Sequence, residues 1–166
     1  MEPSCTSLNS KNMGLVRSIA ALFSPSSRRN SPSPDGDENP AHRLGREGER
    51  LAARHLRRNG YRVLYRNFRA PHGGEVDIVC RDKTCDTLVF VEVKTRTSIA
   101  FGAPGEAVTR EKQRLIARGA LAWLELLGNP DHILFRFDIV EIVFQNDEPS
   151  LHIIKDAFKL PEPYVY

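Results

Sequence analysis

Cysteine is scarce in this chain, and its pattern argues against zinc and disulfide scaffolds. Three cysteines among 166 residues, at positions 5, 80 and 85, fall at no zinc-binding spacing and leave one over when paired. Cys80 and Cys85 are near enough in sequence to meet across a hairpin, but a reduced pair in a cytoplasmic protein is the expectation. Long apolar runs are lacking as well. The stretch from Gly14 to Phe23 has the composition of a short amphipathic helix, but Arg17 interrupts it. It is neither the unbroken core of a secretory signal nor long enough to span a bilayer, so no membrane partner is expected. An excess of one charge is missing too. A net charge of +3 does not by itself argue for a nucleic-acid partner. No internal repeats are present, and the length suits one domain.

What the chain does contain is concentrated between Gly74 and Arg96, GEVDIVCRDKTCDTLVFVEVKTR. Val, Ile and Phe dominate two arms, Glu75–Arg81 and Thr87–Thr95, which read as β-strands joined by a polar turn at Asp82–Asp86. Glu75, Asp77, Glu92 and Lys94 interrupt those arms where a buried strand should carry no charge. Alternation puts Glu75 with Asp77 on one face, and Glu92 with Lys94. Folding the hairpin between Thr84 and Cys85 sets Asp77 opposite Glu92 and Glu75 opposite Lys94, at a Cβ separation of roughly 4.5–5.5 Å. Two carboxylates so close repel each other, more so when half-buried. A divalent cation between them reverses the sign of that interaction, and hard oxygen donors without Cys or His favour Mg²⁺ or Mn²⁺ over zinc. The competing reading is a solvated hairpin with a Glu75–Lys94 ion pair. Leu88, Val89, Phe90, Val91 and Val93 oppose it, because they make the second arm apolar on both faces, as in a central strand. Burying Glu92 and Lys94 there costs several kcal/mol unless something compensates.

The flanks supply the rest. Residues 1–40 are rich in Ser, Pro and Asn and read as a disordered leader. Ala41–Asn59 is helical in pattern, closed by Asn59-Gly60. Leu44, Gly48, Leu51, Ala52, His55 and Leu56 share one arc, and Arg43, Arg46, Arg50, Arg54 and Arg57 the opposite one. Glu49 sits on the boundary, within reach of the rim of a core-facing site. From Arg43 to Arg69 there are nine arginines against Glu47 and Glu49, a residue type suited to bidentate phosphate contact or, more blandly, to a solvated helix face. Tyr61–Arg69 reads as the first strand, and Ser98–Ala107 as a loop edging the cleft. Thr109 can cap a helix running to Leu127, whose apolar seam is Leu115, Ile116, Ala120, Trp123, Leu126 and Leu127. Lys112, one turn before Ile116, suits a phosphate contact or an ordinary surface position. Phe135–Phe144 and Leu151–Lys155 read as a closing strand pair, with an Arg136–Asp138 salt bridge or a supporting role beside the site, and 159–166 as a loose tail. The element order implies an α/β domain over 41–158.

At these residues the chain resembles a family. E-x-D followed by an apolar strand ending in E-x-K is similar to the PD-(D/E)xK nuclease superfamily. More closely, GREGERLAARHL, YRNFRAPHGGEVDIV, LVFVEVKTR, FGAPGEAVTREK and FRFDIVEI, in that order from about His42 to Phe158, resemble the YraN-like family of uncharacterised bacterial proteins. The resemblance implies a restriction-endonuclease-like fold, a mixed sheet of about five strands flanked by helices. It implies a metal site in which Asp77, Glu92 and the Val93 carbonyl hold Mg²⁺ or Mn²⁺, with Glu75 and Glu49 assisting directly or through water. Lys94 is then expected to orient the attacking water and stabilise the scissile phosphate rather than act as the general base. The expected activity is phosphodiester hydrolysis in DNA, branched or flapped by analogy with junction resolvases, which act as dimers and make a homodimer the corresponding expectation. Arg46, Arg50, Arg54, Arg96 and Lys112 are the expected nucleic-acid contacts. A non-catalytic nucleic-acid-binding scaffold and an RNA-processing nuclease stay open as alternatives.

Overall fold

The computed structural model describes residues 39–96, 108–130, 132–145, 148–164 and 166. The expected leader, apart from its last two residues, and the loop Ser98–Ala107 but for its neighbours lie outside them. Helix α1 spans Pro40–Arg58 and strand β1 Tyr61–Arg69. Strands β2 and β3 span Glu75–Asp82 and Thr87–Arg96, helix α2 Arg110–Leu126, and β4 and β5 Phe135–Gln145 and Glu148–Phe158. The five strands form one sheet in the order β1-β2-β3-β4-β5. Only the β3–β4 pair is parallel, and α2 makes the crossover between them. This is the mixed α/β sheet flanked by helices that the resemblance implied. No helix among the described residues is long and apolar enough to cross a membrane.

One helix covers each face. Ala52, Ala53 and Leu56 of α1 pack with Ile78, Cys80, Val89, Val91, Val140 and Ile142. Ile116, Ala117, Ala120, Trp123 and Leu124 of α2 pack with Phe68, Val79, Leu88, Phe90, Phe137 and Ile139 on the other. β3 is therefore buried from both sides, and Thr87 through Glu92 are all buried, as expected of a central strand. Thr109 caps α2 by accepting the Lys112 N–H at 3.3 Å.

Two close approaches fix the helices against the sheet. On α1, a Cβ at Gly48 would lie 2.0 Å from Thr95 Oγ1, so glycine lets the helix touch the end of β3. At the start of β2, Gly74 has φ +118, and a Cβ there would lie 2.6 Å from the Gly119 amide nitrogen of α2. Both approaches bring helix backbone beside the charged ends of β2 and β3.

The closing pair is longer than its sequence pattern suggests. β5 begins at Glu148, where Pro149 is tolerated because the strand lies at the sheet edge. It continues to Phe158 through a bulge at Asp156, whose backbone has φ 52 and whose N–H donates to Asp138 Oδ1 at 2.9 Å. Past Phe158, in the stretch read as a loose tail, Leu160 and Tyr164 pack against the α2-side core, and the Tyr166 hydroxyl donates to the Pro130 carbonyl at 2.9 Å.

The Gly48 contact has a measurable consequence. Gly45→Ala, at a helical position with nothing within 4 Å, is expected to stabilise the protein by roughly 0.5–1 kcal/mol. Gly48→Ala is expected to destabilise it by roughly 1–3 kcal/mol through overpacking against Thr95. Urea unfolding of the two variants checks the opposite signs.

Candidate functional site

The hairpin register predicted from sequence is the register observed, from Asp82↔Thr87 to Ile78↔Val91. There the ladder ends, one pair short of Asp77 and Glu92. Beyond it the Val93 N–H donates to Asp77 Oδ2 at 2.8 Å, so a side chain takes over where strand pairing stops. The alternation assumed for β2 also fails at this point. Val76 packs in the α2-side core and Ile78, two residues on, in the α1-side core. Opposite Asp77 on β1 stands Asn67, between the pairs Arg66↔Ile78 and Phe68↔Val76, with a left-handed φ of 54. Asparagine tolerates that conformation better than most residues.

Around Asp77 the structure gathers Glu75, Glu92, Lys94 and Lys112. Glu92 is 3 % exposed. Its Oε1 lies 3.0 Å from Lys94 Nζ and its Oε2 3.3 Å from Lys112 Nζ. The second contact lacks hydrogen-bond geometry, which leaves Oε2 buried without a hydrogen bond among the described residues. Glu75 does not pair directly with Lys94 as the hairpin geometry suggested. With the strands parting beyond Ile78↔Val91, Lys112 reaches in from α2 to Glu75 Oε1 at 2.5 Å, and Arg69 Nη1 lies 3.3 Å from Oε2.

Electrostatics follow the geometry. Burial first, and then the charge of Glu92, push the Asp77 carboxyl up to about 7, against the pull of the Val93 N–H and Lys112. Glu49 on α1 adds to that push, so it stands near enough for its charge to be felt at Asp77. The Lys112 hydrogen bond holds Glu75 below the usual carboxylate range, with Arg69 and Lys94 adding to the effect. Burial opposes the charge on Lys112, but the Glu75 hydrogen bond and the charges of Glu92 and Asp77 outweigh it and hold its pKa above that of an ordinary lysine.

The remaining predicted residues fall elsewhere. Arg46, Arg50 and Arg54 are exposed along α1, with Arg50 Nε bonded to Glu47 at 2.8 Å. Arg96 is half-buried and lies 3.5 Å from the buried Glu141 on β4. Lys112, read as a phosphate contact or a surface lysine, is instead turned into the acids. The signal was present in its spacing. Lys112 continues the buried stripe of Ile116, Ala120 and Trp123, and a lysine there needs a carboxylate.

Arg136 and Asp138 do pair, at 2.9 Å, but at the far end of β2 from Asp77. Arg136 also bonds Asp82 at 2.8 Å, and the Tyr61 hydroxyl donates to Asp138 at 3.2 Å. This closed network ties β1, β2 and β4 together and does not support the acidic cluster.

The family model described as uncharacterised protein family UPF0102 matches residues 48–142, more than half of the chain, a span that includes Glu49, Glu75, Asp77, Glu92 and Lys94. The chain belongs to the UPF0102 family. A UPF0102 protein of Geobacter metallireducens is 49% identical over 117 residues, 70% of this chain and 93% of the relative. That of Geobacter sulfurreducens is 51% identical over 118 residues, 70% and 89% of the two chains. That of Chlorobaculum tepidum is 47% identical over 109 residues, 65% and 81%. The UPF0102 segment thus runs from the Gly48 contact to Ile142 on β4 and encloses the whole acidic cluster.

Because the folded Asp77 binds its proton more tightly than the ordinary value of 3.8 allows, stability falls as pH rises from about 4 to 7, and the penalty is complete above 7. Asp77→Asn keeps an oxygen for the Val93 N–H and removes the penalty. In chelator-treated buffer it is expected to be more stable than wild type at pH 8 by a margin that vanishes toward pH 4. Chemical unfolding across that range checks this, and an unaltered or lower stability at pH 8 contradicts it.

Proposed function

We propose that this UPF0102 protein is a Mg²⁺- or Mn²⁺-dependent nuclease that hydrolyses phosphodiester bonds in DNA. The observation that carries the reading is the buried carboxylate of Glu92 beside the half-buried one of Asp77, at the point where β2 and β3 part. Their donor set fits a small hard cation. Both are oxygen ligands, and Glu92 Oε2 is buried without a hydrogen bond. Among the described residues no three Asp, Glu, His or Cys side chains form a ready-made cage. That suits Mg²⁺, which is commonly bound through one or two carboxylates while water and substrate fill the other positions. Asp77, Glu92 and the Val93 carbonyl would hold the ion, with Glu75 and Glu49 acting through water. A bound ion supplies a water of lowered pKa and offsets charge on the reacting phosphate.

The chain's own residues do the rest. Lys94, held against Glu92, keeps a positive charge at the mouth of the carboxylate pair, where it orients the attacking water and favours the pentavalent, phosphorane-like state. The exposed arginines of α1 flank Glu49 and carry the backbone of the nucleic acid past the site. Such contacts give affinity that falls steeply with salt and reads little sequence. Branched or flapped DNA is the substrate class that the resemblance to junction resolvases favours. One observation supports a second reading. Lys112 already neutralises part of the carboxylate pair, which suits a non-catalytic nucleic-acid-binding protein that needs no ion.

Purified protein with Mg²⁺ or Mn²⁺, set against linear, flapped and four-way-junction DNA and structured RNA, separates the readings. Glu92→Ala and Lys94→Ala are each expected to fold and to lose cleavage by about a hundredfold or more. Cleavage at the wild-type rate in either variant removes the assigned role, and cleavage confined to RNA replaces the substrate.

A further inference from the structure

Three carboxylates and three cations meet at the parting of β2 and β3. Glu75, Asp77 and Glu92 face Arg69, Lys94 and Lys112. Glu49, felt at Asp77 from α1, makes four acids against these three cations, and a dication added to them would leave an excess of positive charge in a half-buried space. One of the ammonium groups has to leave, and the contacts identify which. Lys94 holds Glu92 Oε1 at 3.0 Å. Asp77 Oδ2 is committed to the Val93 N–H. Among the described residues Glu92 Oε2 is buried without a hydrogen bond, and the group standing over it, at 3.3 Å and without hydrogen-bond geometry, is Lys112.

Lys112 is also the cation best able to move. It comes from the first turn of α2, its side chain is 23 % exposed, and its strong contact is with Glu75 at 2.5 Å, which it can keep while withdrawing from Glu92. Its charge reaches Asp77 as well as Glu92, so it serves the same pair of carboxylates that the metal reading assigns to the ion.

Resting on that reading, we infer that Lys112 is a placeholder cation, occupying the seat of the divalent metal over Glu92 Oε2 and yielding it when the metal binds. It keeps the like-charged pair folded in the metal-free protein, and it sets the metal affinity lower than two carboxylates alone would give. Lys112 is thus a positioning residue that competes with the ion, not a ligand to it.

Calorimetric titration of Mn²⁺ into the chelator-treated full chain at pH 7.5 tests this. Lys112→Met, which keeps the aliphatic stem, is expected to bind Mn²⁺ about tenfold more tightly than wild type, because the competing charge is gone. Lys94→Met is the comparison. It removes the same charge from Glu92 but leaves Lys112 in the seat, and is expected to change the affinity by no more than about threefold. If Lys112→Met is too unstable without metal, Lys112→Gln replaces it. The Mn²⁺-induced rise in unfolding midpoint, expected to be larger in either Lys112 variant than in wild type, gives a second readout. Equal or weaker binding in the Lys112 variants overturns the inference, as does an equal gain in Lys94→Met, which would reduce the effect to net charge. Absence of Mn²⁺ binding in wild type and in every variant would instead overturn the metal reading itself.

Discussion

The hydrogen bond from the Val93 amide to Asp77, at the place where β2 and β3 stop pairing, is the contact on which the site depends. Strand pairing would normally consume that amide with a backbone carbonyl. Here a carboxylate takes it, and the carboxylate is thereby held beside Glu92 in surroundings that favour its neutral form. A buried acid beside a half-buried one works against folding, because each charge raises the cost of the other. Glu92 on the most deeply covered strand of the sheet, with Asp77 beside it on β2, marks a compromise between stability and chemistry. Everything nearby limits the damage. The Val93 N–H, Lys94 and Lys112 each offset part of the charge, and Glu75 steadies Lys112 in turn.

The fold delivers the remaining groups through backbone proximity. Gly48 lets α1 lie against Thr95, which brings Glu49 near Asp77 and sets the arginine face alongside the site. Gly74 and Gly119 let α2 meet the start of β2 almost backbone to backbone, and Lys112 sits two turns before Gly119. A cation from one helix and an anion from the other thus converge on strands that neither helix precedes directly. The UPF0102 match spans this arrangement from Gly48 to beyond β3.

Much of this was legible in the sequence, for reasons that can be named. The hairpin register followed from folding the two arms about the turn between Thr84 and Cys85, and the apolar residues on both faces of the second arm marked it as a central strand. The α2 start was written in Thr109, and β1 in its alternating pattern. What was not legible depended on a neighbour in space. Alternation predicted that Asp77 would stay on its face of β2, whereas the strand changes sides between Val76 and Ile78, opposite the left-handed backbone of Asn67 ten residues away. The pairing of Glu75 with Lys112 spans 37 positions, so no local pattern holds it, although lysine on a core-facing stripe hinted at a buried partner. The length of β5 was hidden by Pro149 and Asp156, which look like breakers and act as an edge proline and a bulge.

The central claim is that Asp77 and Glu92 share one divalent ion. Diffraction from crystals soaked in Mn²⁺, collected to give anomalous differences, tests it most directly. The geometry predicts a peak at coordination distance from one oxygen of each carboxylate, with Lys112 Nζ withdrawn from Glu92 Oε2. A difference map with no peak there, or with Mn²⁺ bound only elsewhere while Lys112 keeps its place, would contradict it.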